Sequence, residues 1–427
     1  MALAAGTVWE CRTAGNANGA GGFVAGTGTD RSQQDAVQTS FTDLVIGVTT
    51  TELTSAAFPF GATDVGNIIK ITAGTGFTVG YYQVVSVSVV TATMDRSVGT
   101  GGSTGGTGFL GGASGVIDAI VDVVVAGNTV WVKAGTYSET VSIPGTDGGN
   151  GTPIILEGYN ATRGDNPLGA NRPLIEGADV RANNITVIDA NGWVIKHFVV
   201  QNATGAGILQ SAGAAGDLMF INVRSTSNTT FGFDLSRDTI LLGCEADSNS
   251  SDGFKMVNER NYKIISCYSH DNTGEGIQNS SGGFDAYNSV SESNADSGFE
   301  TGGAGSSMFA YNCVAYNNTG AANSGFLAGT ATNLSAVENI FINNSSSSNG
   351  QYAFNLSGGT DVTNYFDFNN YFGHTTELNN ITAGDNDTGD ADPLFTNPAT
   401  GNFTLQATSP CLNTGLDAST YIANVTV

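Results

Sequence analysis

Gly243-Cys-Glu-Ala-Asp-Ser-Asn249, Ser266-Cys-Tyr-Ser-His-Asp-Asn272 and Asn288-Ser-Val-Ser-Glu-Ser-Asn294 are three versions of one seven-residue unit. Four residues after each Asn comes a Gly-apolar pair: Gly253-Phe254, Gly276-Ile277 and Gly298-Phe299. Outward from these phrases the Asn recurs at Asn202, Asn228, Asn249, Asn272, Asn294, Asn318 and Asn344, at spacings of 26, 21, 23, 22, 24 and 26. The trailing pair recurs as Gly207-Ile208, Gly232-Phe233, Gly325-Phe326 and Ala353-Phe354. A period of this length fits one coil of a β-helix or one leucine-rich repeat. Leu is sparse here and small polar residues dominate, so the coil is the better reading. Gly and Asn tolerate the left-handed backbone that tight corners need. Asn side chains stacked coil on coil can also hydrogen-bond to one another as a ladder.

Aligned on the Asn, one inward position reads Val223, Cys244, Cys267, Ser289, Cys313 and then, with a one-place slip, Ile340. These are small or apolar residues suited to a core, where free Cys packs as a small hydrophobe. The five cysteines are odd in number and form no CxxC pattern, which argues against a zinc or redox centre. Residues 128–415 divide into about twelve coils at this period.

Three regions separate along the chain. Residues 1–98 carry strand-like runs at 67–72, 78–87 and 89–95 and read as a small all-β attachment module. Residues 99–112 read as a Gly-rich flexible linker. Residues 113–427 hold the repeats. They open with an expected helix from Ser114 to Ala126, with Ser114 as N-cap and Gly127 as stop, placed to cover the end of a β stack.

Composition narrows the partners. Net charge is −24, and the 164 residues from Ile264 onward contain 15 Asp and Glu but no Lys or Arg. Nucleic acid and anionic membranes call for the opposite sign. The N-terminus lacks a basic stretch followed by an apolar run, so no signal peptide is expected, and no apolar run reaches membrane-spanning length.

The phrases Gly127-Asn-Thr-Val-Trp-Val-Lys-Ala-Gly-Thr-Tyr137, Pro153-Ile-Ile-Leu-Glu-Gly-Tyr159, Ala391-Asp-Pro-Leu-Phe395 and Ser409-Pro-Cys-Leu-Asn-Thr-Gly415 resemble the right-handed parallel β-helix, pectate-lyase-like superfamily. The resemblance implies an all-β rod. Val8-Trp-Glu-Cys-Arg-Thr-Ala-Gly-Asn16, Gly21-Gly-Phe-Val-Ala-Gly26 and Asp30-Arg-Ser-Gln-Gln-Asp35 resemble the leading module of phage-encoded β-helix structural proteins. That second resemblance implies a virion structural protein: a surface fibre, spike or capsid decoration. Its expected partners are other virion proteins and host-surface polysaccharide. It would sit on the virion surface, be released by lysis and assemble as a homotrimer. The alternatives are a polysaccharide lyase or glycoside hydrolase on the same scaffold and, second, a bacterial surface adhesin, because the fold hosts many functions.

Chemistry-bearing positions are few. Lyases of the superfamily use a cationic base, and the candidates are Arg224, Arg237, Lys255, Arg260 and Lys263, with Arg224 of outward parity. The adjacent Asp pair and Gly-His-Gly of polygalacturonases and the Asp-Pro-His-Glu of alginate epimerases are absent. Two places before the repeat Asn, the outward position reads Thr226, Asp247, His270, Glu292 and Tyr316. Stacking would bring Asp247, His270 and Glu292 together as catalytic candidates, through paired carboxylates or a His–Asp general base. Ahead of the Gly-apolar pairs stand Asp252 and Glu275; with Tyr268 and Tyr316 they are the ligand-binding candidates. The bland alternative for all of these is a polar outer face. No dedicated metal site or cofactor is expected, though a carboxylate cluster of this kind can take Ca2+. Arg163-Gly-Asp165 reads as an ordinary turn.

Overall fold

A computed structural model describes residues 7–23, 28–149, 151–211, 216–257, 261–302, 306–320, 323–329, 339–342, 344–357 and 364–416. Arg260 lies outside the described residues. The chain divides into two compact units, the first built mainly from residues 1–178 and the second mainly from 219 onward.

In the first unit, six antiparallel strands close a small barrel: Thr39–Ile46, Glu52–Thr54, Ile68–Ala73, Gly80–Ser88, Thr91–Met94 and Thr104–Leu110. Phe41, Leu44, Leu53, Phe60, Ile69, Ile71, Val84 and Leu110 fill it. The flexible linker expected at 99–112 is therefore corrected, because Thr104–Leu110 pairs with both Thr39–Ile46 and Ile68–Ala73. Its glycines permit close strand approach: a Cβ at Gly108 would meet the Lys70 carbonyl at 2.7 Å, and one at Gly106 the Phe77 ring at 2.5 Å. The segment before the barrel is not part of it. Val8–Asn16 pairs in parallel with Thr129–Lys133, which pairs in turn with Ile154–Tyr159. Trp9 is fully buried on that strand, and its indole donates to Asn128 Oδ1 at 3.1 Å.

The expected helix over 114–126 shrinks to a single turn, Asp118–Val121. The β-branched run Val116, Ile117, Ile120, Val121, Val123, Val124 and Val125 loses side-chain freedom in a helix. Ser114 bonds within its own loop, to Val116, instead of capping. The Glu139 carboxylate caps the turn by accepting from the Ile117 and Asp118 amides at 3.0 Å each.

The second unit is a stack of coils, each contributing a strand to three parallel sheets. The first sheet holds Leu218–Ile221, Thr239–Leu242, Tyr262–Ile265, Phe284–Tyr287 and Met308–Tyr311. The second holds Arg224–Thr226, Glu245–Asp247, Tyr268–His270, Val290–Glu292, Val314–Tyr316, Ser345–Ser347 and Asn370–Phe372. The third holds Phe233–Leu235, Phe254–Met256, Ile277–Asn279, Phe299–Thr301, Ser324–Ala328 and Tyr352–Leu356. Alternation decides which side chains face in: in Tyr262–Ile265, Tyr262 and Ile264 are fully buried and the other two face outward. The rings of Phe299, Phe326 and Phe354 stack in the third sheet at 4.8 and 4.7 Å. Burying such a ring contributes about 1.5–3 kcal/mol each.

The repeat markers now have physical causes. Asn228, Asn249, Asn272, Asn294, Asn318 and Asn349 form the ladder, each amide donating to the next Oδ1 at 2.8–3.0 Å. The Gly of each pair clears the neighbouring coil: a Cβ at Gly253 would lie 2.1 Å from Ser269 Oγ, and one at Gly276 1.9 Å from Ser291 Oγ. Two expected members are displaced. Ala203 replaces Asn202, since its amide meets Asn228 Oδ1, and Asn349 replaces Asn344. Asn344 instead continues the Val223, Cys244, Cys267, Ser289, Cys313 column, where its Oδ1 accepts from the Cys313 amide at 2.9 Å; Ile340 is not in that column. About nine turns form rather than twelve. Early coils carry long loops, such as 160–173, and after a last parallel bridge of Gly389 to Asn370 the chain leaves the stack for a hairpin.

Candidate functional site

The second sheet presents two outward columns. One reads Arg224, Glu245, Tyr268, Val290, Val314; the other reads Thr226, Asp247, His270, Glu292, Tyr316. The register thus sets Asp247, His270 and Glu292 side by side, as the repeat alignment anticipates. Their chemistry differs along the row. Arg224 clamps Asp247 with two bonds, Nε to Oδ1 at 2.7 Å and Nη2 to Oδ2 at 2.8 Å, and Thr226 Oγ1 donates at 2.8 Å. Burial works to raise the Asp247 pKa, but the Arg224 and Thr226 bonds outweigh it and the carboxyl sits below its ordinary value. Glu245, His270 and Asp247 have ligand atoms within 4.8 Å of one another. Arg224 Nε lies 3.4 Å from Glu245 as well, so a guanidinium already supplies the positive charge there.

His270 is held by Asp271 at 2.8 Å and Glu245 at 3.3 Å and stacks on Tyr268 at 4.3 Å. Burial opposes the imidazolium, yet the bonds to Glu245 and Asp271 and the Asp247 charge push its pKa up to about 8. Glu292 accepts from Tyr268 Oη at 2.6 Å; burial raises its pKa against that bond and the His270 charge. Asp247 is a saturated ion pair with little capacity to act as a base, whereas Glu292 holds its proton more readily than an ordinary carboxyl.

A second cluster lies at the third sheet. The Glu275 amide meets Asp252 Oδ1 at 3.3 Å, so the two acids that precede the Gly-apolar pairs do come together. Asp296 and Glu300 join them: Glu275, Asp296 and Glu300 place one carboxylate oxygen each within a 4.8 Å group. Gln278, 7 % exposed, reaches in and donates to Glu275 at 2.6 Å and Glu300 at 3.2 Å, while its buried Oε1 has no partner among the described residues. Lys255 precedes Gln278 in the same outward column and lies 3.4 Å from Asp252. Burial, a bond shared with Asp252 and the Asp252 and Glu300 charges push Glu275 up to about 8. Burial and Asp296 raise Glu300. Strand parity held the signal for Gln278 and Glu300, because Lys255, Gln278 and Glu300 occupy one outward register. Sequence reading followed only the residue before the Gly and so missed them and Asp296.

Among the remaining positions, Arg163 and Asp165 are structural. Arg163 binds buried Glu10 and Asp30, and Asp165 accepts from the amides of a turn. No helix among the described residues is long and apolar enough to cross a membrane.

The sequence matches no protein-family profile, and no curated protein matches it either. Among solved structures, pectate lyase Pel9A superposes with a TM-score of 0.56 at 19% identity, over 72% of this chain and 87% of that one. The pectin methylesterase of Aspergillus niger gives 0.36 at 13%, over 65% and 84%. The A-module of the mannuronan C-5 epimerase of Azotobacter vinelandii gives 0.31 at 13%, over 61% and 88%. At these identities the likeness is one of fold alone: the chain is a right-handed parallel β-helix like that of the pectate lyase.

Proposed function

We propose that the protein engages an acidic polysaccharide through a calcium ion held by Glu275, Asp296 and Glu300, with the Gln278 amide oxygen as a further ligand. The observation that carries this reading is the three-carboxylate group with a buried, unpartnered amide oxygen beside it. Carboxylate and amide oxygens are a hard donor set, suited to calcium. A bound dication would draw the Gln278 oxygen inward, freeing its NH2 to turn away, and would favour ionised Glu275. It would also reconcile a strongly acidic protein with an anionic chain, which net charge alone would repel. The fold neighbour named as a pectate lyase makes polygalacturonate the first polymer to try.

Binding, rather than cleavage, is what the geometry supports. Lys255, the cation at this cluster, is engaged in an ion pair with Asp252 at 3.4 Å and so is not free to take a proton from a substrate. Calorimetric titration of CaCl2, followed by polygalacturonate in calcium or in EDTA, decides the matter. One calcium site and calcium-dependent polymer binding, both lost in the double variant Glu275→Gln/Glu300→Gln, are expected. Binding of the polymer that ignores EDTA overturns the reading, and release of unsaturated uronate would convert it to a lyase.

A virion-surface location is a separate proposal that rests on the N-terminal phrases. Antibody raised against the barrel should label intact particles of the parent phage; unlabelled particles sink it.

A further inference from the structure

The outward column that contains Glu292 continues in register through Tyr316, Ser347 and Phe372. It does not face open solvent along its length. After leaving the coils the chain returns as a hairpin, Phe395–Asn397 with Asn402–Leu405, laid over this column. Phe395 and Phe403 pack edge-on against Tyr316 at 6.2 and 5.5 Å. At the hairpin tip Gly401 (φ +71°) sits so close to Tyr268 that a Cβ there would lie 2.9 Å from the hydroxyl. Gln406 and Ser409 pin the hairpin by donating to the carbonyls of Phe395 at 2.9 Å and Pro393 at 2.7 Å. Between hairpin and sheet lies a cavity of about 260 Å³, with Tyr316, Ser347 and Phe372 below and Asp392, Leu394 and Pro398 above.

We propose that this covered slot is a subsite for the end of a neutral glycan chain. Its lining pairs aromatic faces with hydroxyl and carboxylate groups, the combination that a sugar ring with one apolar face and a polar rim requires. The volume falls just below the 300 Å³ or so at which pockets for drug-sized ligands begin, which leaves room for one or two sugar rings. No Lys or Arg occurs beyond Lys263, and the His270 imidazolium is already held by Asp271 and Glu245, so it is not free to pair with a uronate or sulfate, while Asp392 and Glu292 would repel one. The hairpin lies over the slot and its tip meets Tyr268 in the neighbouring outward column, which closes that side, so a slot of this size takes a chain end rather than a length of polymer. Glu292, one coil from Tyr316 or about 4.8 Å along the column, is placed to accept a hydrogen bond from a hydroxyl of the bound sugar. The slot is separate from the carboxylate cluster and needs no metal ion.

The test is calorimetric titration of the full chain, in EDTA, with cellotetraose, laminaritetraose, xylotetraose and maltotetraose, and with tetragalacturonate for comparison. One neutral tetrasaccharide should bind at a single site, and its parent polymer should take up one protein per chain end. Tyr316→Ala should weaken binding about tenfold or more. Phe372→Leu, a gentler change, should weaken it less; circular dichroism checks that both variants fold, and Phe372→Leu alone decides if Tyr316→Ala does not. The proposal is overturned if no neutral member binds, if tetragalacturonate binds as well as they do, if several proteins decorate one polymer chain, or if the folded variants bind like the parent. Because EDTA is present, failure here leaves the calcium reading untouched, and failure of calcium binding leaves this one untouched.

Discussion

At the scale of single residues, the Arg224–Asp247 pair sets the tone of the second-sheet face. Asp247 is 3% exposed and takes two bonds from one guanidinium beside a third from Thr226 Oγ1. Removing the arginine strands a buried charge, so Arg224→Ala should destabilise the fold by about 3–5 kcal/mol. Arg224→Met with Asp247→Leu should recover most of that, because an apolar pair of similar volume has no desolvation penalty. Urea denaturation of the three variants checks both statements; a double variant as weak as the single one would refute the account. The Asp247, His270, Glu292 row was legible because it needs only the repeat phase. Glu245 was not, since its closeness to His270 depends on a side chain crossing between columns, which no spacing reports. Titration belongs to this scale too. His270 and Glu275 both have folded-state pKa values of about 8, above their ordinary 6.5 and 4.5. Their contribution is therefore full below the ordinary values and is lost as pH rises through about 8. In EDTA, the thermal midpoint should fall between about pH 6 and about pH 9, and Glu275→Gln should flatten part of that fall. A parent profile that rises over this window would contradict the assignment.

At the scale of elements, the Asn ladder joins neighbouring coils more specifically than the apolar core does. Asn272 donates to Ala246 O, Ser269 Oγ and Asn294 Oδ1, and its own Oδ1 accepts the amide and side chain of Asn249. Asn272→Ala removes all of these and leaves buried groups unmatched, each worth about 1–3 kcal/mol. Asn349→Ala, nearer the end of the ladder, should do less damage, because no further ladder asparagine accepts its amide, which goes to Ala315 O and Ser346 Oγ. Hydrogen exchange should show the Asn272 variant opening the coils on both sides, and the Asn349 variant only the coils near it. Equal effects would mean that the ladder is ornamental. The same ladder explains why the repeat was legible in the middle and slipped at its ends. An Asn at a left-handed corner, such as Asn202 (φ +57°), has the same composition signal as an Asn one place on, and the seventh repeat offers both Asn344 and Asn349. The lost helix has a different cause: hydrophobic periodicity was present over 114–126, but β-branched side chains and the Glu139 cap favour one turn followed by loop.

At the scale of the whole molecule, charge is distributed unevenly along the chain, and this has a measurable consequence. All 14 Lys and Arg lie at or before Lys263, against 15 Asp and Glu after it. Carboxylates on neighbouring coils recur at spacings of about 4.8 Å, well inside the roughly 10 Å over which charges interact at 0.1 M salt. Monovalent salt should therefore stabilise the coils after Lys263 more than those before it. In hydrogen exchange from about 10 mM to about 300 mM NaCl, protection should rise in the strands from Phe284 onward and change little in Thr129–Lys133, which has no acid, and Ile154–Tyr159, whose one acid, Glu157, pairs with Lys196. Calcium at micromolar to millimolar levels should do what this much NaCl cannot, protecting Ile277–Asn279 and Phe299–Thr301 selectively, because those strands carry Gln278 and Glu300. If NaCl and calcium protect the same strands to the same degree, the carboxylates act only as a diffuse field, and the cluster at Glu275 is no more than part of an acidic surface.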